Sequence, residues 1–295
     1  MTGFDWLFFF EISLAGLGSG GLLALTGLAF VIIYKATRVV NLAIGEMLMI
    51  SAYLFFALTA SMALPIWAAI LGTVIASGAI GALVERTMIR PMLGESPIST
   101  FMVTVGLSSI LVGIVELVWT ADPRRLPEFM PGDPVLMGAA MVAPKVFYGF
   151  LVTALLIGAV LLVFRFWRGG VALRATASDQ AAAYSMGINV PRVFSLAWTA
   201  AAMIAAVAGI VVGAIGGISS TMGVFGLSVL VVVIVGGLDS VVGALVGGLM
   251  VGLVEAWAGA YLGGEFKMIA TFALLILVLL VRPYGLFGTR EIERL

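Results

Sequence analysis

The chain contains no cysteine and no histidine among its 295 residues, and only 10% of its residues are charged. The absence of cysteine excludes disulfides and thiolate nucleophiles, and the absence of histidine excludes imidazole bases and the usual zinc sites. Metal could bind only through scattered carboxylates, so we expect neither a metal nor a cofactor. Basic and acidic residues balance at 15 each, so no basic face for nucleic acid is expected.

Sequence motifs for ATP binding and for membrane hydrolases are also absent. Neither the phosphate-binding pattern GxxxxGK[S/T] nor the patterns GxSxG and HExxH occur. Any ATP-driven work must therefore come from another subunit, and the chain is not expected to be an enzyme.

Hydrophobic residues make up 62% of the chain, more than a water-soluble core requires. Several apolar runs reach the ~20 residues that cross a bilayer as a helix, whereas a β-barrel would show short alternating segments. The pattern predicts an all-α polytopic membrane protein, a single domain over 1–295 with about 8–10 transmembrane helices. The expected spans lie near 12–33, 40–60, 64–84, 98–119, 147–167, 193–216, 222–238, 241–262 and 267–281. Two runs, 36–47 and 222–238, fit either a full span or a broken, re-entrant segment.

The distribution of lysine and arginine predicts the orientation. The N-terminus lacks the basic region of a signal peptide, so the first run is expected to remain as a span. With the N-terminus outside, the outer loops hold four basic residues: Arg124, Arg125, Lys145 and Lys267. The inner loops hold Lys35, Arg38, Arg86, Arg90, Arg165, Arg168, Arg174, Arg192, Arg282, Arg290 and Arg294. The positive-inside rule then places the C-terminus and the loop 168–192 in the cytoplasm and the loop 120–146 outside.

Three carboxylates, Glu46, Glu116 and Glu255, interrupt apolar runs. An ionised side chain at mid-bilayer costs at least ~2.5–3.5 kcal/mol, so it normally faces protein or a water-filled cavity. Asn41 and Gly45 share a helical face beside Glu46, and a glycine there allows close approach of backbone or solute. Asn41, Gly45, Glu46 and Glu255 are therefore the candidates for a substrate pathway. Alternatively, each carboxylate lies near a span end or only locks helices together, which fits Glu116 best.

Glycine is abundant, with 37 copies, and much of it recurs at helical spacing. Small residues four apart let helices pack closely, which is the expected role of most of them. These pairs are Gly16 with Gly20, Gly209 with Gly213, Gly213 with Gly217, Gly243 with Gly247, and Gly248 with Gly252. Residues 236–240 (GGLDS) are expected to form a tight hairpin, with Asp239 as its possible cap.

A polar island at 174–192 stands between two hydrophobic spans. Its alanines favour a helix, Ser178 or Asp179 can cap the start, and Gly187 followed by Pro191 can end it. The island predicts a short helix exposed to water, either a docking element for a soluble partner or an ordinary amphipathic surface helix.

Four motifs occur in order along nearly the whole chain: NLAIGE at 41–46 with AY at 52–53, RA…D…A…MGI within 174–190, GGLDSVVGA at 236–244 and RPYGLFG at 282–288. Together they resemble branched-chain amino acid ABC permeases of the LivH type. This resemblance implies a type II ABC importer-like bundle that moves branched-chain amino acids or a related small polar, amide or carboxylate solute into the cytoplasm.

The resemblance also implies partners and roles. The partners are a second related permease subunit, two cytoplasmic ATP-binding subunits and an extracytoplasmic solute-binding protein, assembled at a bacterial cytoplasmic (inner) membrane. The loop 168–192 would be the coupling-helix loop that seats in a groove of the ATPase. Its coupling residues would be Arg174, Asp179, Ala182, Met186 and Gly187.

The sequence departs from the family pattern at two positions: Ile44 replaces the usual histidine, and Ser51 replaces the usual glycine. A different solute would follow if that histidine touches solute. Two other classes stay open on the residues alone. One is a stand-alone secondary transporter that uses Glu46 and Glu255 as a proton or cation relay; the other is a passive channel.

Overall fold

The structure is a computed structural model that describes residues 5–137 and 140–289. Arg290 and Arg294, which entered the count of inner basic residues, lie outside the described residues. The α-helices are α1 Trp6–Thr37, α2 Ile44–Phe56, α3 Ile66–Val84, α4 Pro97–Trp119, α5 Pro144–Phe166, α6 Arg168–Ser178, α7 Gln180–Ser185, α8 Val190–Gly216, α9 Phe225–Gly236, α10 Val241–Tyr261 and α11 Phe266–Val281.

Short π-helical and 3-10 turns extend α2, α3 and α9. A π-helical turn, Ala57–Ser61, follows α2, and another, Glu85–Ile89, follows α3. The 3-10 turns are Arg90–Met92, which completes the α3 stretch, and Ser220–Val224, which leads into α9.

Long apolar helices confirm the prediction of an all-α polytopic membrane protein. Within the described ranges, seven helical stretches are long and apolar enough to cross a membrane, and two shorter apolar ones are Ser220–Gly236 and Phe266–Val281. Each of the nine expected spans overlaps one of these stretches. The twelve residues of α9 rise only ~18 Å, less than the ~30 Å hydrocarbon layer, so α9 alone is a half-length helix. Helix α1 ends at Thr37, and residues 38–43 are non-helical, so the structure contains the break considered within 36–47.

The predicted outer loop contains a small hairpin that the sequence did not indicate. Strand β1, Val135–Met137, pairs antiparallel with β2, Ala140–Val142. In the same loop, Arg124 and Ile218 exchange two backbone hydrogen bonds of 2.8 Å. This pairing ties the loop to the segment that follows α8.

The described chain folds into two compact units, whose boundaries fall within α1, α5, α9 and the loop between α4 and β1. The first unit comprises residues up to 27, 129–155 and from 228 onward. Here the expected glycine packing is present: a Cβ on Gly20 would lie 2.9 Å from the carbonyl oxygen of Gly248, and one on Gly252 would lie 2.3 Å from Cα of Gly20. Helices α1 and α10 therefore touch through their backbones.

Two motifs far apart in sequence meet in this first unit. The amide of Leu286 donates to the carbonyl of Val235 at 2.8 Å, and the amide of Phe287 donates to Gly236 at 2.9 Å. The hairpin at 236–240 is present, but its cap was predicted wrongly. Ser240 caps α10 by accepting from the amide of Gly243 at 2.9 Å, whereas Asp239 accepts from the amide and hydroxyl of Thr289.

The second unit comprises residues 28–128 and 156–227, and its core lies where α3 and α2 pack on α8. A Cβ on Gly81 would lie 2.6 Å from the carbonyl oxygen of Trp198, and one on Gly209 would lie 2.2 Å from that of Leu48. Trp198 is fully buried. These glycine contacts bring three helices to near-backbone distance, and this packing positions the candidate site on α2.

Candidate functional site

The non-helical segment before α2 is held by two polar side chains. The Oδ1 atom of Asn41 accepts from the amide of Ala43 at 3.0 Å, and the hydroxyl of Thr104 donates to the carbonyl of Val40 at 3.2 Å. The amide of Leu42 donates to the same hydroxyl at 3.3 Å. These bonds satisfy backbone groups that a helix would otherwise pair. Asn41 is fully buried, so its contacts fix the start of α2.

Gly45, the second residue of α2, touches the backbone of the segment that leads into α9. A Cβ on Gly45 would lie 2.2 Å from the carbonyl oxygen of Gly223 and 2.8 Å from Cα of Gly226. Real Cβ atoms do not approach that closely, so this contact requires glycine on α2. Gly45 therefore has the close approach of backbone that its position predicted.

Glu46 follows directly and points its carboxylate into a cavity of about 230 Å³. Its Oε2 atom is buried and accepts no hydrogen bond within the described part of the chain. A Cβ on Gly223 would lie 2.7 Å from Oε1, so the carboxylate rests against that glycine. The cavity is lined by Glu46 together with Leu42, Val105, Ser108, Gly223, Val224, Gly226 and Leu227.

Glu255, the other pathway candidate, has a different environment. It lies on α10 in the first unit, whereas Glu46 belongs to the second. Its Oε1 atom accepts from the hydroxyl of Ser228 at 2.8 Å and from that of Thr271 at 3.0 Å. These bonds join α9, α10 and α11. The geometry of Glu255 is that of an inter-helix hydrogen-bond centre.

The polar island forms two helices rather than the single one expected. Asp179 adopts an extended conformation with φ −155° and ψ 113°, which ends α6 and starts α7. Its Oδ1 atom accepts from the amide of Ala182 at 2.9 Å, so Asp179 is the N-cap of α7. Gly187 has φ +84° and follows α7, where the left-handed conformation favours glycine. The capping and stopping residues were thus assigned correctly, and the number of helices was wrong.

Most of α7 faces outward. Ala183 is buried at 4% exposure, while Tyr184 and Met186 are 71% and 83% exposed. Ala182 and Gly187 are exposed as well. Arg174 instead bonds within the chain, because its guanidinium donates to the carbonyls of Phe164 and Arg165 at the end of α5. The loop therefore has an exposed tip, formed by α7, Met186 and Gly187, and Arg174 binds the loop to the end of α5.

Sequence reasoning missed a buried charged cluster at the end of α3. Glu85 is fully buried and accepts two hydrogen bonds from Arg90, at 3.0 Å and 2.8 Å. The hydroxyl of Ser195 on α8 donates to Oε2 of Glu85 at 2.6 Å, and Arg90 donates to the carbonyl of Pro191 at 3.2 Å. The cluster joins α3 to the start of α8, directly after the polar island. An acidic and a basic residue five apart at the end of an apolar run were the available signal.

Comparisons with known proteins agree with the resemblance that the motifs indicated. Residues 12–279 match the model of a family described as branched-chain amino acid transport system, permease component. The chain is 31% identical to the high-affinity branched-chain amino acid transport system permease protein LivH of Escherichia coli (strain K12), over 98% of this chain and 99% of that protein. It is 31% identical to the corresponding protein BraD of Pseudomonas aeruginosa, over 95% of each. It is also 27% identical to a probable LivH of Methanocaldococcus jannaschii, over 93% and 91%.

One solved structure shares the fold. PsaBC from Streptococcus pneumoniae, determined in complex with a Fab, superposes with a TM-score of 0.51 over 95% of this chain and 94% of that one. The two sequences are 12% identical, so this likeness concerns the fold alone.

Proposed function

We propose, since this chain belongs to the family of branched-chain amino acid transport permease components, that it is the membrane subunit through which an ATP-binding-cassette importer moves its solute. The observation that carries this proposal is the family match over residues 12–279. The chain is a permease subunit and not itself an enzyme. The same match favours this function over a stand-alone secondary transporter.

The solute is an amino acid with a branched aliphatic side chain, or a closely related small solute. Support comes from the named transport systems of the relatives, with 31% identity over nearly the full length of both chains. Ile44 and Ser51, which depart from the family pattern, both lie in α2, on either side of Glu46 in the sequence. Substitutions at these two positions are the first candidates for a change in solute preference.

The partners follow from the permease role. They are two cytoplasmic ATP-binding subunits, an extracytoplasmic solute-binding protein and a second permease subunit related to this one. Their assembly site is a bacterial cytoplasmic membrane, with the N-terminus outside and the C-terminus inside. The excess of basic residues on one set of loops supports this orientation.

The loop 168–192 docks on the ATP-binding subunit through its exposed tip. Ala182, Met186 and Gly187 supply the contact surface, and Asp179 fixes the start of α7. Arg174 holds the loop to the end of α5, so motion of the tip is transmitted to that helix. Alternating access then results from tilting of packed helices.

The test is ATP-driven uptake by the complete complex in proteoliposomes. We expect uptake of radiolabelled leucine that requires ATP and the solute-binding protein and that persists with a protonophore. Uptake that collapses with the protonophore and ignores ATP would favour the secondary transporter. An Ala182→Glu variant is expected to lose the stimulation of ATP hydrolysis by loaded binding protein, whereas the matched Ala182→Ser variant keeps it. Undiminished stimulation in Ala182→Glu would contradict the docking role.

A further inference from the structure

The Glu46 carboxylate has no cationic partner among the residues that line its cavity, and Ser108 is the polar side chain beside it. An ionised carboxylate within an apolar helix bundle costs several kcal/mol unless a cation or hydrogen-bond donors compensate it. The residues that line its cavity include no lysine and no arginine, and Ser108 is the one other lining residue with a polar side chain. Oε2 is left buried without a hydrogen bond among the described residues.

Local geometry nevertheless holds the carboxylate in this position. Glu46 lies in the first turn of α2, where the helix dipole favours a negative charge. Gly45 and Gly223 allow the two segments to touch, and the carboxylate rests on Gly223 with no space for a side chain between them. Asn41 fixes the start of the helix from the other side. The fold therefore presents a carboxylate without a cationic partner to a cavity.

The remaining cavity wall is apolar and branched. Leu42, Val105, Val224 and Leu227 surround the carboxylate. The volume of about 230 Å³ is below the ~300–1,000 Å³ of pockets that hold drug-sized ligands, so the cavity suits a small solute. A negative group beside branched aliphatic walls is complementary to a small molecule with an ammonium group and an aliphatic side chain.

We propose that Glu46 binds the ammonium group of the transported solute while Leu42, Val105, Val224 and Leu227 contact its aliphatic side chain. This inference rests on the proposed function and adds the recognition chemistry of the permease itself. It predicts discrimination by charge: leucine binds in the cavity more tightly than 4-methyl-2-oxopentanoate, which has the same carbon skeleton without the ammonium group. A charge-assisted hydrogen bond supports roughly a 10-fold preference.

The absence of native cysteine allows a direct test. Ser108→Cys introduces a single thiol into this chain at the cavity wall, and its reaction with a neutral maleimide is followed in the purified complete complex. We expect leucine to slow the modification and 4-methyl-2-oxopentanoate to need a roughly 10-fold higher concentration for the same protection. Adding Glu46→Gln to Ser108→Cys is expected to weaken protection by leucine, so that roughly 10-fold more leucine is needed. Adding Glu116→Gln, which removes an exposed carboxylate on α4, is expected to preserve it. If Ser108→Cys does not assemble, Val105→Cys takes its place.

Three results would overturn the proposal: equal protection by both solutes at the same concentration, leucine protection that Glu46→Gln leaves unchanged, or no protection by leucine. ATP-driven leucine uptake by the unmodified complex separates the two levels of inference. Uptake without protection defeats the Glu46 site alone, whereas absence of ATP-driven uptake defeats the importer function.

Discussion

Glu85 and Arg90 form a two-bond ion pair in which Nε donates to Oε1 at 3.0 Å and an Nη atom donates to Oε2 at 2.8 Å. The Glu85 side chain is fully buried, and the Arg90 side chain is 36% exposed. With Ser195 and the carbonyl of Pro191, the pair links the end of α3 to the beginning of α8. Because α8 begins at the end of the loop 168–192, this pair ties the end of that loop to α3.

Loss of Arg90 alone is predicted to destabilise the protein. Arg90→Ala leaves the Glu85 carboxylate buried with only Ser195 as a donor, and we expect a loss of roughly 2–3 kcal/mol. That is less than the ~3–5 kcal/mol of a fully buried pair, because the guanidinium is partly solvated. Equilibrium unfolding in mixed micelles measures this loss of stability. The double variant Glu85→Leu, Arg90→Met removes both charges and should lie close to the unmodified protein. A double variant as unstable as Arg90→Ala would contradict this account.

The close backbone contact at Gly45 is predicted to exclude any side chain at this position. Gly45→Ala places a methyl group 2.2 Å from the carbonyl oxygen of Gly223, and overpacking of this kind costs ~1–3 kcal/mol or more. We expect less folded protein and a lower unfolding midpoint. Gly106→Ala on α4 is the matched control, because a Cβ there meets nothing within 4 Å. It should be neutral or up to ~1 kcal/mol more stable. Similar effects of the two substitutions would show that the contact is not close.

Substitutions at Gly187, in the turn after α7, are predicted to act through backbone conformation and not through steric overlap. Gly187 has φ +84°, and a Cβ there would meet nothing within 4 Å. A β-branched residue in this conformation costs at least ~1–2 kcal/mol, while asparagine is tolerated there. Gly187→Val should therefore lower the stimulation of ATP hydrolysis by loaded binding protein, and Gly187→Asn should retain most of it. The prediction fails if both variants lose stimulation equally.

Glu255 is predicted to act through hydrogen bonding and not through its charge. Its Oε1 atom accepts both bonds, from Ser228 and Thr271, and the amide oxygen of glutamine can accept the same two. Glu255→Gln should keep ATP-driven uptake within about twofold of the unmodified complex, whereas Glu255→Leu, which removes the acceptor, should lower both uptake and thermal stability. A proton or cation relay would instead lose transport in Glu255→Gln.

Hydropathy and motifs predicted the fold class and the family, because both depend on residues that are close in sequence. Long apolar runs must pair their backbone groups internally in lipid, so they form helices wherever they occur. All nine expected spans overlap apolar helices for this reason. Capping is equally local: Asp179 and Gly187 were recognised because a cap acts on residues at most three or four positions away.

Packing between neighbouring helices determined how each helix is rotated about its axis and which side chains come into contact. Glu46 and Glu255 look alike in the sequence. Glu46 nevertheless lines a cavity and leaves its Oε2 atom without a hydrogen bond among the described residues, whereas Glu255 is bonded by two hydroxyls. The burial of Glu85 could not be read from its position at a span end, because its partner Ser195 lies 110 residues away. The amino-acid sequence by itself determined which segments are helical and apolar. Only the tertiary structure decided which face of each helix meets protein, since that depends on close packing between segments distant along the chain.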